Sequence, residues 1–456
     1  MRQGLRMSGG RLDRPMLGLV VVLAAASVLP LDTVVWGWWA FRGLVAVAVL
    51  AGVLRGGRCG DVPAILVPPL TMAVLVMLLY VLAPAAAVDL LLGGPVAMTA
   101  GEPASWVRRL GALEDFETAV RAVASPAELW VLRFVLGCLL LAQLMRPFLP
   151  QATVSWAPWR LAVMLGLAIG GLNLARRFGL PLPEAAAPLL PPLMILCLAM
   201  AFLALLRRRP WAWPAYGALI LAALTFLPFG GIKFLFLTLV VQMLALLIDS
   251  RLPVWLRLGA SVAAIAVVLG GAYLATRGHS RIVTSGTDLQ RVLVGKLAYR
   301  QAETMFCLNH VLRGESGDQP LYFLAAPVPR LLWPDKPSLS NGGDHAVRYC
   351  GRFPDDVAVG NHSASITLLG EPYSRGGGMG LTLSMIVVGG VLSVSGLLLA
   401  RSGAGAVVVL ATLPWIVDFD QDFAMWLANI TKFGLAATVT TILIYAACRR
   451  RKTIQE

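Results

Sequence analysis

The sequence predicts an all-α polytopic membrane protein with one large external loop. Three observations carry that reading. Hydrophobic residues make up 58% of the 456 positions and charged residues only 14%, more apolar surface than a water-soluble core can hide. Apolar runs long enough to cross a hydrocarbon core, which takes about 20 residues, recur about twelve times. The basic residues between those runs follow a sided pattern.

The expected spans are 16–31, 33–54, 62–83, 129–148, 160–177, 188–206, 213–229, 232–248, 258–276, 379–400, 404–418 and 427–447. With the N-terminus inside, the inner segments carry Arg2, Arg6, Arg11 and Arg14, then Arg55 and Arg58, Arg146, Arg207 to Arg209, Arg251 and Arg257, Arg401, and finally Arg449 to Lys452. Every inner segment is basic, as the positive-inside rule requires, so both termini are expected in the cytoplasm. The opening MRQGLRMSGGRLDRP is basic, but no convincing small-residue cleavage site follows the first apolar run. That run reads as an uncleaved first helix.

A formal net charge of +14 raises nucleic acid as a partner. The cations sit at span ends and in short loops, where they set topology and meet anionic headgroups, so membrane lipids are the expected partners and nucleic acid is not. Cys59, Cys138, Cys197 and Cys448 lie in or beside spans without metal-ligand spacing and read as small apolar residues. Cys307 and Cys350 share the large loop, where a disulfide is open but not required.

Three regions follow: residues 1–276 with spans 1–9, the external loop 277–378, and residues 379–456 with spans 10–12 and a basic cytoplasmic tail. All four histidines (His279, His310, His345, His362) fall in the loop. Connectors ordinarily run to about six residues, and long ones tend to be functional or disordered. The apolar and aromatic stretches RVLVGKLAYRQAETMFCLNHVL and LYFLAAPVPRLLW argue against disorder. Asp288 can cap a helix to about Arg313, with an apolar stripe from Leu289 to Leu312 and a polar one of Lys296, Arg300, Glu303, Cys307 and His310. Periodicity alone fits a helix resting on the membrane somewhat better than a binding role.

Several cations are misplaced for topology alone: Arg42 within the second span, Arg133, the Arg176–Arg177 pair, and Lys233 at outer span ends. A buried arginine costs at least about 2.5 kcal/mol and usually has a partner or a wet cavity. Together with Arg300, Arg330, Lys336 and Arg375 they form a set of anion ligands suited to a lipid-linked diphosphate, whose oxygens match arginine forks.

The stretches PLYFLAAPVPRLLWPDKPSLSNGG and GNHSASITLLGEPYSRGGGMGL resemble the Wzy-type O-antigen and exopolysaccharide repeat-unit polymerases, a family related to the O-antigen ligases. The matching features are Tyr322, Pro329-Arg330, Trp333-Pro334-Asp335-Lys336-Pro337, Gly370-Glu371-Pro372-Tyr373 and the glycines from Gly376 to Gly380. Where relatives carry an arginine beside glycine at an outer span end, this chain has Gly230-Gly231-Ile232-Lys233, which keeps the charge but not the fork.

The resemblance implies a GT-C-like, metal-independent glycosyltransferase without cofactor in the bacterial inner membrane. Its substrate would be an undecaprenyl-diphosphate-linked oligosaccharide on the outer face, with a chain-length regulator as a further partner. His362 is then the first expected catalytic base and Glu371 the second. Arg300, Arg330, Lys336, Lys233 and Arg42 are the expected diphosphate ligands, and Trp333, Tyr322 and Tyr373 the sugar-binding aromatics. Rival readings are an O-antigen ligase and, from another class, a flippase or transporter. The latter would call for polar residues along the spans and repeated halves, whereas the spans carry few charges and no internal repeat is evident.

Overall fold

The computed structural model describes residues 62–82, 126–144, 159–179, 189–226, 233–249, 253–255, 304–305, 307–328, 332–336, 342–350, 365–401 and 403–455, with isolated positions between 43 and 262. A two-residue antiparallel pair, β1 (Arg58–Cys59) with β2 (Val62–Pro63), precedes an otherwise helical arrangement. Helix α1 (Pro68–Val76) opens on two prolines, tolerated where no intrahelical N–H bond is required, and continues as a π-helical turn over Met77–Leu82. There follow α2 (Pro126–Leu144), α3 (Trp159–Arg177), α4 (Leu190–Leu206), α5 (Ala212–Leu224) and α6 (Lys233–Ile248). Beyond the loop come α7 (Gly342–Cys350), α8 (Thr367–Arg401), α9 (Gly403–Ile416) and α10 (Phe423–Gln455).

Apart from α7, these helices stand where the apolar runs predict spans. Two are long and apolar enough to cross a membrane, α8 over Thr367–Ala400 and α10 over Phe423–Ala447; α4, α5, α6 and α9 are shorter apolar helices. The expected spans 16–31, 33–54 and 258–276 lie, isolated positions aside, outside the described residues.

Helix α4 is apolar on every side, which suits a position enclosed by other helices. From Met194 to Ala204 its residues are buried, and it touches α3, α5, α6, α9 and α10. A second group forms around α8, which packs most extensively on α2 and also on α1, α9 and α10. Small residues let the backbones meet. A Cβ added to Gly389 of α8 would lie 2.7 Å from Leu141 Cβ and 3.1 Å from the Cys138 carbonyl of α2, and one on Gly170 of α3 would lie 2.6 Å from Ala222 Cβ of α5. Close small-residue contact of this kind is how helices associate where burial from water supplies no drive. Outward, α10 exposes Leu435, Val439, Ile442 and Leu443, and α3 exposes Met164, Leu167 and Leu174.

Helix α8 begins at Thr367, twelve residues before the predicted span, and is broken at Gly376 (φ −140°, ψ 17°) and Gly377 (φ 56°, ψ −145°). The positive φ at Gly377 suits a residue without a Cβ. At Gly376 the demand is space, since a Cβ there would sit 2.4 Å from Pro320 Cα. Carbonyls near the break are satisfied by the loop: Gly317 N–H donates to Ser374 O (2.8 Å) and Gln319 N–H to Arg375 O (2.7 Å). The first segment of α8, Thr367 to Arg375, is thus part of the loop-covered end of the bundle. The membrane-length part follows the break, from Gly378 onward, and is about 36 Å long at 1.5 Å per residue.

Candidate functional site

The loop-covered end of the bundle gathers the N-termini of α6, α8 and α10 and the chain that joins α9 to α10. Trp426 N–H donates to the Asp422 carbonyl (2.8 Å), so Asp422 stands just outside the first turn of α10. Glu371 on α8 reaches across, and its Oε2 accepts the Ala424 N–H at 2.9 Å, satisfying a donor that the start of a helix leaves without an intrahelical partner. In the other direction Asp422 Oδ1 accepts the Ile366 N–H (2.9 Å) and the Ser365 hydroxyl (3.1 Å). Each acid therefore ties down the start of the other's helix.

The junction holds backbone strain. Thr367 has φ 72°, costly for a β-branched residue. Its hydroxyl accepts the Leu369 N–H (3.2 Å), and the Leu368 N–H reaches the Phe419 carbonyl (3.3 Å).

Two buried carboxyls whose charges act on one another resist joint ionisation. Glu371 is fully buried and its Oε1 has no hydrogen-bond partner. Burial first, then the neighbouring Asp422 charge, push its pKa up to about 7, against the opposing pull of the Ala424 N–H, His345 and the Tyr322 hydroxyl. The same surroundings, burial foremost and then Glu371 and Asp422, raise the Tyr322 phenol, which stays protonated at working pH. On the far side of Asp422, His345 of α7 places Nδ1 3.2 Å from Oδ2.

A second cluster lies a few residues away. Lys233, at the start of α6, sits 2.6 Å from Asp418 Oδ1 and 3.2 Å from Asp420 Oδ2. Gln421 Nε2 donates to Asp418 Oδ2 (2.6 Å), Asn429 Nδ2 donates to Gln421 Oε1 (2.7 Å), and the Thr304 hydroxyl donates to Asp420 Oδ1 (3.3 Å).

Above the acid pair, α7 is bound to the helical residues 307–313 by the Cys307–Cys350 disulfide, which settles the pairing that the sequence leaves open. His310, on the same segment, is lowered in pKa by its partial burial and by the Arg313 charge. Between α7, the 315–319 stretch and the end of the first α8 segment opens a cavity of about 860 Å³, whose lining includes His345, Asp344, Arg348, Glu315, Asp318 and Arg375. Among the described residues no group of three or more His, Cys, Asp or Glu side chains is placed to hold a metal ion.

Of the residues expected from sequence, Arg42, Arg300, Arg330 and His362 lie outside the described residues. Glu371 is at the centre of the acid pair. Lys233 engages two aspartates, and Lys336, 8% exposed, donates to the Ala326 and Val328 carbonyls at 2.8 Å each, so both ammonium groups serve internal contacts. Tyr322 packs edge-on against Phe323 and under the Arg375 guanidinium, and Tyr373 lies against Trp130 of α2. Trp333 is exposed.

Asp422 and His345 are the central residues that sequence reasoning passed over as site residues. The signal for Asp422 was three aspartates in the five residues DFDQD between two apolar runs. His345 had no local signal, because its partner lies 77 positions away, at Asp422. No protein-family model, no curated protein and no solved structure matches this chain.

Proposed function

We propose that the protein is a polytopic, GT-C-like glycosyltransferase of the inner membrane that polymerises polysaccharide. In this reading a growing glycan leaves undecaprenyl diphosphate and joins the non-reducing end of a lipid-linked repeat unit at the outer face. The observation that carries the reading is the buried, incompletely neutralised group Glu371, Asp422 and His345 beneath an open cavity of about 860 Å³, at the end of a bundle of apolar helices. Polymerisation needs an acceptor pocket, a proton acceptor and cations for a departing diphosphate. Pockets for small ligands run to about 300–1,000 Å³, so the cavity has room for a short saccharide, and its mixed carboxylate and arginine lining suits hydroxyl-rich ligands.

Two further observations support the placement. Lys233, Trp130, Glu371 and the aspartates Asp418, Asp420 and Asp422 all gather at one end of the bundle, the end that the charge pattern puts outside. A disulfide at that end suits an oxidising compartment. Arg348 and Arg375 line the cavity and join Arg42, Arg300 and Arg330 as candidate diphosphate ligands.

The test is the surface glycan of cells lacking this protein. Single repeat units on their usual carrier, with long chains restored by the wild-type gene, are the expected result. Complete loss of attached glycan would instead assign a ligase. Accumulation of lipid-linked units on the inner leaflet would assign a flippase.

A further inference from the structure

We propose that the cavity beside α7 takes a saccharide that is uncharged or carries amines, and that Glu315, Asp318 and Asp344 turn acidic sugars away; this names the substrate class of the polymerase reading and rests on it. Those three carboxylates and two guanidiniums, Arg348 and Arg375, line one space of about 860 Å³. Among the described residues no ion pair joins any of the five to another. The acids are exposed, so their charges act on whatever fills the cavity rather than neutralising a neighbour. A second observation points to a polar guest. His345 lines the same cavity at 4% exposure, and its Nδ1 has no hydrogen-bond partner although Asp422 Oδ2 lies 3.2 Å away. Buried polar groups are nearly always satisfied, and one left open on the wall of a cavity suits a hydroxyl-rich ligand beside it.

The two signs of charge suit different parts of a lipid-linked sugar. The guanidiniums match the oxygens of the diphosphate. Each is steadied by an aromatic ring, Arg348 lying 5.4 Å from the Tyr349 centroid and Arg375 5.9 Å from that of Tyr322. The carboxylates are left to the sugar. They accept hydrogen bonds from hydroxyls and stronger, charge-assisted ones from an ammonium, whereas an ionised uronate brings them a like charge and no donor at its carboxyl. Three negative charges against two positive already favour a cation, and a bound diphosphate makes the balance more negative still. Repelling a near-isosteric competitor in this way is how a site gains specificity without tighter contacts. Because each acid is exposed, its separate effect is small and weakened by salt, and the selectivity needs all three.

The experiment is calorimetric titration of the full chain in detergent, at about pH 6, with β-1,4-linked trisaccharides of glucose, glucosamine and glucuronic acid. These probes share ring and linkage and differ in charge. The expected order of affinity is glucosamine, then glucose, then glucuronic acid, with at least about tenfold between the first and last at low salt. In about 1 M salt the gap shrinks to about twofold. Combining Glu315→Gln, Asp318→Asn and Asp344→Asn is expected to reduce the low-salt gap to about threefold or less. Retention of the Cys307–Cys350 bridge, checked by thiol alkylation, shows that α7 is still in place in that variant.

Equal affinities, or tightest binding of the glucuronic acid trisaccharide, in the wild-type protein overturn the proposal and leave the polymerase reading standing. So does a bridged triple variant that keeps the full low-salt gap, which would place the selectivity elsewhere. Binding of none of the three trisaccharides also overturns it, since the cavity would then be no saccharide site. The polymerase reading itself is decided apart from this ranking, by the surface glycan of cells lacking the protein.

Discussion

Two charged clusters share the loop-covered end of the bundle, and they are built on opposite terms. Around Lys233, one ammonium meets two aspartates, and an amide and a hydroxyl donate to the remaining oxygens. Around Glu371, two acids meet backbone and hydroxyl donors and a single histidine, and Glu371 Oε1 accepts no well-aligned hydrogen bond. The first cluster is close to saturated and pins α6 to the α9–α10 junction. The second keeps unspent capacity to take and hold a proton, and its His345 lines the cavity beside α7.

The largest expected effect tests the unsaturated cluster. Glu371 has a folded pKa raised to about 7 from 4.5, so the folded state binds a proton that the unfolded state has already lost between those values. Stability should therefore fall as pH rises from about 4.5 through 7, by on the order of 3 kcal/mol in all. Glu371→Gln keeps an oxygen for the Ala424 N–H and removes the ionisation. Its melting temperature in detergent should exceed that of the wild type at pH 8 and converge with it near pH 5. An unchanged gap across that range would show that Glu371 ionises freely.

Next comes the saturated cluster. Lys233→Met leaves Asp418 and Asp420 buried without their cation, at a cost of about 2 kcal/mol once the 39% exposure of the lysine side chain is discounted. Chemical denaturation should reveal that cost while acceptor KM stays unchanged. A selective loss of substrate affinity would instead return Lys233 to the diphosphate site expected from its place in the sequence.

Smaller again, Lys336→Met strips the Ala326 and Val328 carbonyls of their donor, with an expected loss of about 1–2 kcal/mol seen as faster proteolysis of the 322–336 stretch. The smallest effect is expected at Thr304→Val, which removes one 3.3 Å hydrogen bond to an aspartate that Lys233 still holds, for about 0.5–1 kcal/mol. If Thr304→Val proved as costly as Lys233→Met, the second cluster would not be governed by charge neutralisation.

Much of the fold was legible in advance because bilayer-length apolar runs and basic punctuation are properties of contiguous sequence. Helices α2 to α6, α9 and α10 stand at predicted spans, and the helical residues 307–313 fall within the loop helix expected from periodicity. The helical segment of α8 before its break, Thr367 to Arg375, was not foreseen, because GEPYSRGG carries a glutamate, a proline and glycines that read as loop. Within the protein, the glutamate is accommodated by the end of another helix and the broken backbone by hydrogen bonds from residues 317 and 319. Lys336, read as a ligand from its place among prolines, turned inward because two loop carbonyls lay within reach of its ammonium group.

The sequence by itself determined the helical class, the positions of the apolar segments and the basic punctuation between them. Each of these depends on residues a few positions apart interacting with solvent or lipid. Only the tertiary structure decided that Glu371 should meet the first turn of α10, that Cys307 should find Cys350, and that His345 should face Asp422. Those partners are distant along the chain, and the free energy of a buried acid or imidazole is set by whichever groups the packing brings within about 3 Å of it.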